Sequence, residues 1–255
     1  MITIKTKQQI EVLRKGGTIL ARILRELASE VREGVSTNYL EKLARKKIED
    51  AGAKPAFLNY TPKGARRPYP AALCVSVNDE IVHGIPNESP KILKEGDIVS
   101  LDSGIEFEGM FTDAAITVGV GAIDANGKKL LKATREALDA AISAAKPGAT
   151  TGDIGNAIEK VAKKYKLNPA EDLGGHGVGH SQHEDPFVPN FRMKGKGVEL
   201  KSGMVLAIEP MLNEGKSKTR FLNDEYTAVT ADGSRSAHFE HTIVVTKRGG
   251  DILTK

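Results

Sequence analysis

Four carboxylates and one histidine stand out as side chains that could do chemistry together: Asp102, Asp113, Glu209, Glu240 and His176. Asp102 and Asp113 flank a polar turn around Phe107, Glu108 and Gly109, and a symmetric hairpin centred there predicts that they stand directly opposite each other on one face. Opposed side chains in such a pair sit about 5 Å apart. At an effective dielectric of about 20, two like charges at that separation repel by on the order of 3 kcal/mol. Ile98, Leu101, Ile116 and Val118 surround them, which predicts a buried sheet. A buried like-charge pair must share a proton or bind a cation. Glu209, inside the apolar run from Met204 to Leu212, and Glu240, before Thr242-Ile-Val-Val, pose the same problem again. One proton cannot neutralise four such charges, whereas two divalent cations can. His176 lies in Gly174-Gly-His-Gly-Val-Gly-His-Ser-Gln-His183, where glycines suit a close backbone approach and leave a histidine little apolar packing to perform. One imidazole with four carboxylates is an oxygen-rich donor set. It suits manganese, iron(II), cobalt or zinc in a two-metal hydrolytic site more than a structural zinc, which favours thiolates.

An internal repeat supplies the frame that must position these groups. Thr6 to Val31 reads as a helix, with capping-box spacing at Thr6 and Gln9 and an apolar stripe of Leu13, Gly17, Leu20, Leu24, Leu27 and Val31. Gly34-Val-Ser-Thr then leads to a helix from Asn38 carrying Leu40, Leu43, Ala44 and Ile48. The plan returns as a helix with Leu131, Leu138, Ala141 and Ala145, the turn Gly148-Ala-Thr-Thr, and a helix with Ile154, Ala157, Ile158 and Ala162. Gly34 and Gly148 correspond at turns where glycine takes a positive φ without strain. The strand regions repeat too: Lys94 to Asp102 aligns with Lys201 to Glu209, and Asp113 to Val118 with Glu240 to Val245. His83-Gly-Ile-Pro answers His183-Glu-Asp-Pro, and by the same offset the mate of His176 is Ser76. The expectation is an α+β fold: two α/β halves, about 1–120 and 121–255, related by a pseudo-two-fold around a central antiparallel sheet, forming one catalytic domain over 1–255.

Composition excludes several classes. The chain has 255 residues, with 40% hydrophobic and 27% charged content, ordinary for a soluble globular protein. A single cysteine, Cys74, rules out an intrachain disulfide and fits a reducing compartment. Met1 to Gln9 is polar, with no apolar signal core, and no apolar run approaches the ~18 residues of a membrane span. A cytoplasmic protein is expected. The net charge of +4 is spread among alternating acids and bases, which argues against a nucleic-acid-binding face. Coiled-coil heptads are absent, so a monomer is expected.

The segments Val82-His-Gly-Ile-Pro, Leu101-Asp102, Thr112-Asp113, Gly175-His-Gly-Val-Gly, His183-Glu-Asp-Pro, Ile208-Glu-Pro-Met and Phe239-Glu-His-Thr-Ile-Val-Val, taken in order, resemble the type I methionine aminopeptidases over essentially the whole chain. The resemblance implies the pita-bread fold and removal of N-terminal methionine from nascent proteins by a hydroxide held between two divalent metals. By the same resemblance Asp102 chelates one metal, Asp113 and Glu240 bridge both, and His176 and Glu209 complete the other. Glu209 also shuttles a proton to the leaving amine, His83 contacts substrate near the departing nitrogen, and His183 donates to the scissile carbonyl oxygen. His180, His238 and His241 match no functional position of the family; His241 reads as packing or hydrogen bonding beside a ligand, and His180 as a residue of the cleft lining.

The family's methionine pocket maps onto Cys74, Tyr69 and Tyr60, with Gln182 where a phenylalanine is expected and Tyr226 where a tryptophan is expected. A more polar wall is therefore expected. The loop from Thr61 to Pro68 carries Lys63, Arg66 and Arg67, candidates for a transient contact with ribosomal RNA or an acidic nascent chain, although a solvated loop is the stronger expectation. Two rival readings remain. An Xaa-Pro aminopeptidase or dipeptidase shares fold and ligands, but resembles a chain with a large N-terminal domain, whereas this one begins at the first helix of the catalytic fold. An inactive pita-bread binding module would be expected to have lost ligands that are all present here.

Overall fold

The structure, a computed structural model, describes residues 2–62 and 64–255, so Lys63 of the basic loop lies outside the described residues. The chain opens with helices α1 (Lys7–Glu30) and α2 (Thr37–Asp50). The strands β1 (Lys54–Pro55), β2 (Cys74–Val77) and β3 (Glu80–Val82) follow, then a long hairpin of β4 (Ile98–Phe107) and β5 (Met110–Gly119). Helices α3 (Ala125–Ala144) and α4 (Thr151–Tyr165) repeat the opening pair. After them come β6 (Asn168–Pro169), β7 (Gly174–Gly177), β8 (Glu184–Pro189), β9 (Val205–Ile208) and β10 (Met211–Asn213). The chain ends in β11 (Thr219–Phe221), β12 (Ala228–Thr230), β13 (Ser236–His238), β14 (Glu240–Thr246) and β15 (Gly249–Ile252).

Local chemistry explains the helix ends. Thr6 and Gln9 form the expected capping box on α1, satisfying donors that the first turn leaves open. Thr150 and Asp153 do the same on α4. Gly34 and Gly148 take φ of 83° and 84° at corresponding turns, a region where a side chain would be strained.

The central sheet has nine strands in the order β1-β4-β5-β14-β9-β7-β8, with β2 added to β4 and β15 to β14, all antiparallel. The repeat is visible in this order. From the β5–β14 seam outward, β4 and β2 on one side correspond to β9 and β7 on the other. Ser76 and His176, matched by offset alone, are each the third residue of their strands β2 and β7.

One expectation needs correction. Asp102 and Asp113 are not directly opposite: the turn is Glu108-Gly109, so Phe107 pairs with Met110, Asp102 with Ala115 and Gly104 with Asp113. Both residues at the turn have positive φ, 48° and 77°, as a tight two-residue hairpin demands. The offset is two residues, so the carboxylates stay on one face but lie diagonally.

Strand alternation separates the two faces of the sheet. Leu101 and Ile105 pack with Leu20, Ile23 and Leu40 of α1 and α2 in one core. Leu206, Ile208, Ile243 and Val245 pack with Leu138, Ala141 and Ile154 of α3 and α4 in another. The intervening residues, Asp102, Gly104, Asp113, Ala115, Ala207, Glu240 and Thr242, face the other way. No helix among the described residues is long and apolar enough to cross a membrane.

Candidate metal centre and active site

Sheet register places the acidic side chains in two adjacent rows. In the first, Cys74 pairs with Asp102, Asp102 with Ala115, and Ala115 with Glu240. Glu209 follows directly after β9 beside the start of β14. In the second row, Gly104 pairs with Asp113, Thr242 with Ala207, and Ala207 with His176. Thr242 joins the two parts: its hydroxyl accepts from the Asp113 N–H at 2.9 Å and donates to the Asp113 carbonyl at 2.7 Å. Small residues between the acids leave a hollow. Gly175 lets β7 approach β9 closely enough to bring His176 in, since a Cβ there would lie 2.2 Å from the Ala207 carbonyl oxygen.

Donor atoms of Asp113, His176 and Glu240 all lie within 4.8 Å of one another. His176 Nε2 is 3.8 Å from Asp113 Oδ2 and 3.6 Å from Glu209 Oε1. Asp102 Oδ1, Asp113 Oδ1 and Glu240 Oε1 are buried without a hydrogen-bond partner. Burial, with Asp113 alongside, pushes Asp102 well above the ordinary carboxylate range. Burial and the charge of Asp113 do the same to Glu209 and Glu240, and burial raises Asp113 to about 7. Four carboxylates that resist ionisation by themselves, three of them with an oxygen left unpaired, fit divalent cations in the hollow. The donor set is hard oxygen plus one imidazole, as the chemistry of manganese, iron(II), cobalt or zinc asks.

The histidines are tuned as ligands and donors, not as cations. Burial and neighbouring His183 bring His176 down to about 3. Its Nδ1 lies 2.8 Å from the Gly177 carbonyl, which can only accept, so Nδ1 carries the hydrogen and Nε2 presents a lone pair to the carboxylates. His83 meets the cleft with φ of 60°, a strained backbone conformation outside glycine, and burial with neighbouring His183 lowers it to about 4. His183 is also lowered by burial, with Nδ1 2.9 Å from the Tyr60 hydroxyl and its ring centroid 4.3 Å from that of His176.

Above this floor opens a cavity of about 350 Å³, lined by Asp102, Asp113, His176, Glu209 and Glu240 together with His83, His183, Tyr60, Tyr69, Cys74 and Tyr226. Its wall is apolar: Ala56, Phe57, Tyr69, Ala71, Cys74 and Tyr226 form one cluster. Tyr69 stacks edge-on against both Phe57 and Tyr226, at centroid distances of 6.4 and 5.1 Å. Metal donors at one end and an apolar side-chain slot at the other describe a hydrolytic site selective for a buried hydrophobic residue.

Residues 11–247 match the model of Metallopeptidase family M24. The chain belongs to this family. It is 48% identical to the methionine aminopeptidase of Aquifex aeolicus, over 100% of this chain and 99% of that protein. Methionine aminopeptidase 1 of Bacillus subtilis is 42% identical over the full length of both. The crystal structure of methionine aminopeptidase from Thermotoga maritima superposes with a TM-score of 0.93 at 45% identity, covering both chains completely. The prolidase of Pyrococcus horikoshii shares the fold, with a TM-score of 0.78 at 23% identity over 63% of its length. Within M24 the chain thus stands among the methionine aminopeptidases, and its architecture is the pita-bread fold that the motifs imply.

Against that family background, several residues sit elsewhere than expected. Gln182 is not in the cavity wall. It is 2% exposed, fills the space that Gly104 leaves by lacking a Cβ, and its amide donates to Asp113. Phe57 and Phe221 line the cavity instead, and neither belongs to a motif. The wall is accordingly less polar than expected. Tyr226 does line it, with its hydroxyl donating to the Arg67 carbonyl. Arg67 itself is bound to Glu88, at 2.5 Å, and to the Asp224 carbonyl, so it braces the pocket and is not a free basic group. His180 hydrogen-bonds Gln9 of α1 and is not among the cavity-lining residues. His241 falls on the helix-facing side of β14, where Nδ1 meets the Thr254 hydroxyl at 2.9 Å. His238 was assigned no role by motif, yet it lies beside Glu209. Its spacing of two from Glu240 is the signal that would have found it, since alternate strand residues share a face.

Proposed function

We propose that this chain cleaves the peptide bond after an N-terminal methionine in peptides and nascent proteins, with Asp102, Asp113, His176, Glu209 and Glu240 holding two divalent ions. The observation that carries the reading is a cluster of four carboxylates, three of them with an unpartnered buried oxygen, beside the His176 lone pair at the floor of an apolar cavity. Bound there, divalent ions supply Lewis acidity and bring the pKa of water towards neutrality. Asp113 and Glu240 lie on the neighbouring strands β5 and β14, with Asp102 on β4 to one side and His176 on β7 to the other, and together with Glu209 they would hold the ions.

The remaining residues have assignable tasks. Cys74, Tyr69, Tyr60 and Tyr226, with Phe57, enclose the methionine side chain, and Gln182 acts at Asp113 and not on the substrate. The Tyr60 hydroxyl lies 2.9 Å from Nδ1 of neutral His183; with the hydroxyl as donor, Nε2–H is left to donate to the scissile carbonyl oxygen as negative charge develops there. His83, neutral and open to the cleft, hydrogen-bonds substrate near the departing nitrogen. Glu209, with its side chain 12% exposed, is the acid of the cluster best placed to take a proton from the attacking water and pass it to the leaving amine.

Cobalt, manganese, iron(II) and zinc all suit the donors. The protein is expected to act as a monomer in the cytoplasm on emerging N-termini. Among the described basic residues of the 61–68 loop, Arg66, whose side chain is 88% exposed, is the one open to a ribosome contact, because Arg67 is committed to Glu88. Comparing Met-Gly-Met-Met with an Xaa-Pro peptide tests the substrate assignment. Methionine release from the first and no cleavage of the second is expected; cleavage confined to the Xaa-Pro peptide would overturn it.

A further inference from the structure

His238 is 1% exposed, and both of its ring nitrogens are buried without a hydrogen-bond partner. A neutral imidazole always carries one N–H, and leaving that donor unpaired in the interior is costly. Its backbone gives it no freedom to turn away. The His238 N–H donates to the Thr117 hydroxyl at 3.0 Å, and that hydroxyl donates back to the His238 carbonyl at 2.6 Å. The adjoining strand β10 holds it from the other side, with Met211 as its pairing partner. What the ring faces is acid: Nε2 lies 3.5 Å from Glu209 Oε2 and 3.9 Å from Glu240 Oε2. Glu209 is therefore flanked by two imidazoles, one per oxygen. His176 Nε2 addresses Oε1 at 3.6 Å, and His238 Nε2 addresses Oε2.

We propose that His238 is a positioning residue for the metal centre: its Nε2–H donates to Glu209 Oε2 and so reserves Oε1, beside His176, for a metal ion. The inference rests on the metal-site reading given above and adds to it a residue that no ligand motif contains. His176 and His238 carry opposite assignments at the same atom, lone pair on one and N–H on the other, because only His176 has a carbonyl on its Nδ1. A carboxylate pinned at one oxygen loses the freedom to rotate both oxygens onto one ion, and a hydrogen bond to a ligating carboxylate is a lever on metal affinity.

The test is cobalt(II) titration of metal-free protein, followed by calorimetry and by visible absorption of the bound ion. The variants are His238→Gln, whose amide N–H can occupy the place of Nε2–H, His238→Asn, whose amide stops short, and His238→Phe, which keeps a ring without a donor. His238→Phe and His238→Asn should bind one cobalt ion about 10- to 100-fold more weakly and alter the absorption spectrum, while His238→Gln stays within about threefold of wild type. Equal affinity and spectrum in wild type, His238→Asn and His238→Gln would overturn the proposal, even if His238→Phe fails to fold. Wild-type protein that takes up no cobalt would overturn the metal centre itself, and the role of His238 with it.

Discussion

Asp102 and Glu240 stand opposite the same residue, Ala115, one across β4–β5 and the other across β5–β14. Acids from the two halves therefore reach past the one methyl group of Ala115, and the space above it is what brings them together. Ala115→Val would place two extra methyl groups in that space without touching a ligand. Metal uptake should fall at least tenfold, with a stability loss of about 1–3 kcal/mol from overpacking. Metal analysis beside thermal melting checks this; unchanged uptake would mean that the hollow is larger than the register implies.

Metal binding should release protons at near-neutral pH. Asp113 is raised to about 7, and Asp102, Glu209 and Glu240 are raised well above the ordinary carboxylate value, so in metal-free protein part of the cluster is protonated at pH 6.5. Those protons must leave when an ion binds, so apparent affinity rises with pH through about 7. His176 and His83 contribute nothing there, since values of about 3 and about 4 leave them already neutral. Manganese titration calorimetry in buffers of different ionisation enthalpy counts the protons. Zero release at pH 6.5 would show ordinary, ionised carboxylates.

Arg67 acts on the substrate pocket from outside it. Its carbonyl accepts from the Tyr226 hydroxyl, and its guanidinium is bound to Glu88 and the Asp224 carbonyl. Arg67→Met keeps that carbonyl but removes the guanidinium that anchors its segment to Glu88 and Asp224, which should loosen Tyr226 and raise KM for a methionyl peptide severalfold, the equivalent of about 1 kcal/mol, with kcat little changed. Steady-state kinetics distinguish this from a general loss of fold, which would lower active-enzyme concentration and leave KM alone.

Lys5 ties the N-terminal arm to the loop that carries His183. Its ammonium lies 2.6 Å from Glu184 Oε2, with side chains 1% and 6% exposed, and Glu184 also accepts from the backbone N–H groups of His180 and Ser181. Lys5→Ala leaves a buried carboxylate without its cation, a change that costs about 3–5 kcal/mol. Reduced thermal stability together with a lower kcat is expected. A loss of stability with unaltered kcat would separate the arm from the position of His183.

Much of this was legible in the sequence because the residues concerned follow local rules. Thr6 with Gln9, Gly34 and Gly148 declare helix ends through cap and turn chemistry, and the repeat of strand motifs declares the two halves. The diagonal offset of Asp102 and Asp113 was not legible from symmetry, because the two-residue turn at Glu108-Gly109 depends on both residues taking positive φ. Moving the turn centre shifted the pairing by two and so preserved the face. The direction of Gln182 is not legible for a different reason: it fills the space left by the missing Cβ of Gly104, far away in sequence. Phe57 and Phe221 reach the cavity from segments with little periodic pattern to read. His238 needed the distance to Glu209, which no motif encodes.

The most direct test of the central claim is methionine release from Met-Gly-Met-Met by metal-free protein, before and after adding manganese or cobalt, for wild type and Asp113→Ala. No release without metal, release after metal addition, and a loss of at least about 1000-fold in a folded Asp113→Ala protein are predicted, since that carboxylate acts on Asp102, Glu209 and Glu240 and lies 3.8 Å from His176. Methionine release that persists in the metal-free protein, or in Asp113→Ala at the wild-type rate, would contradict the assignment of this cluster as the catalytic metal centre.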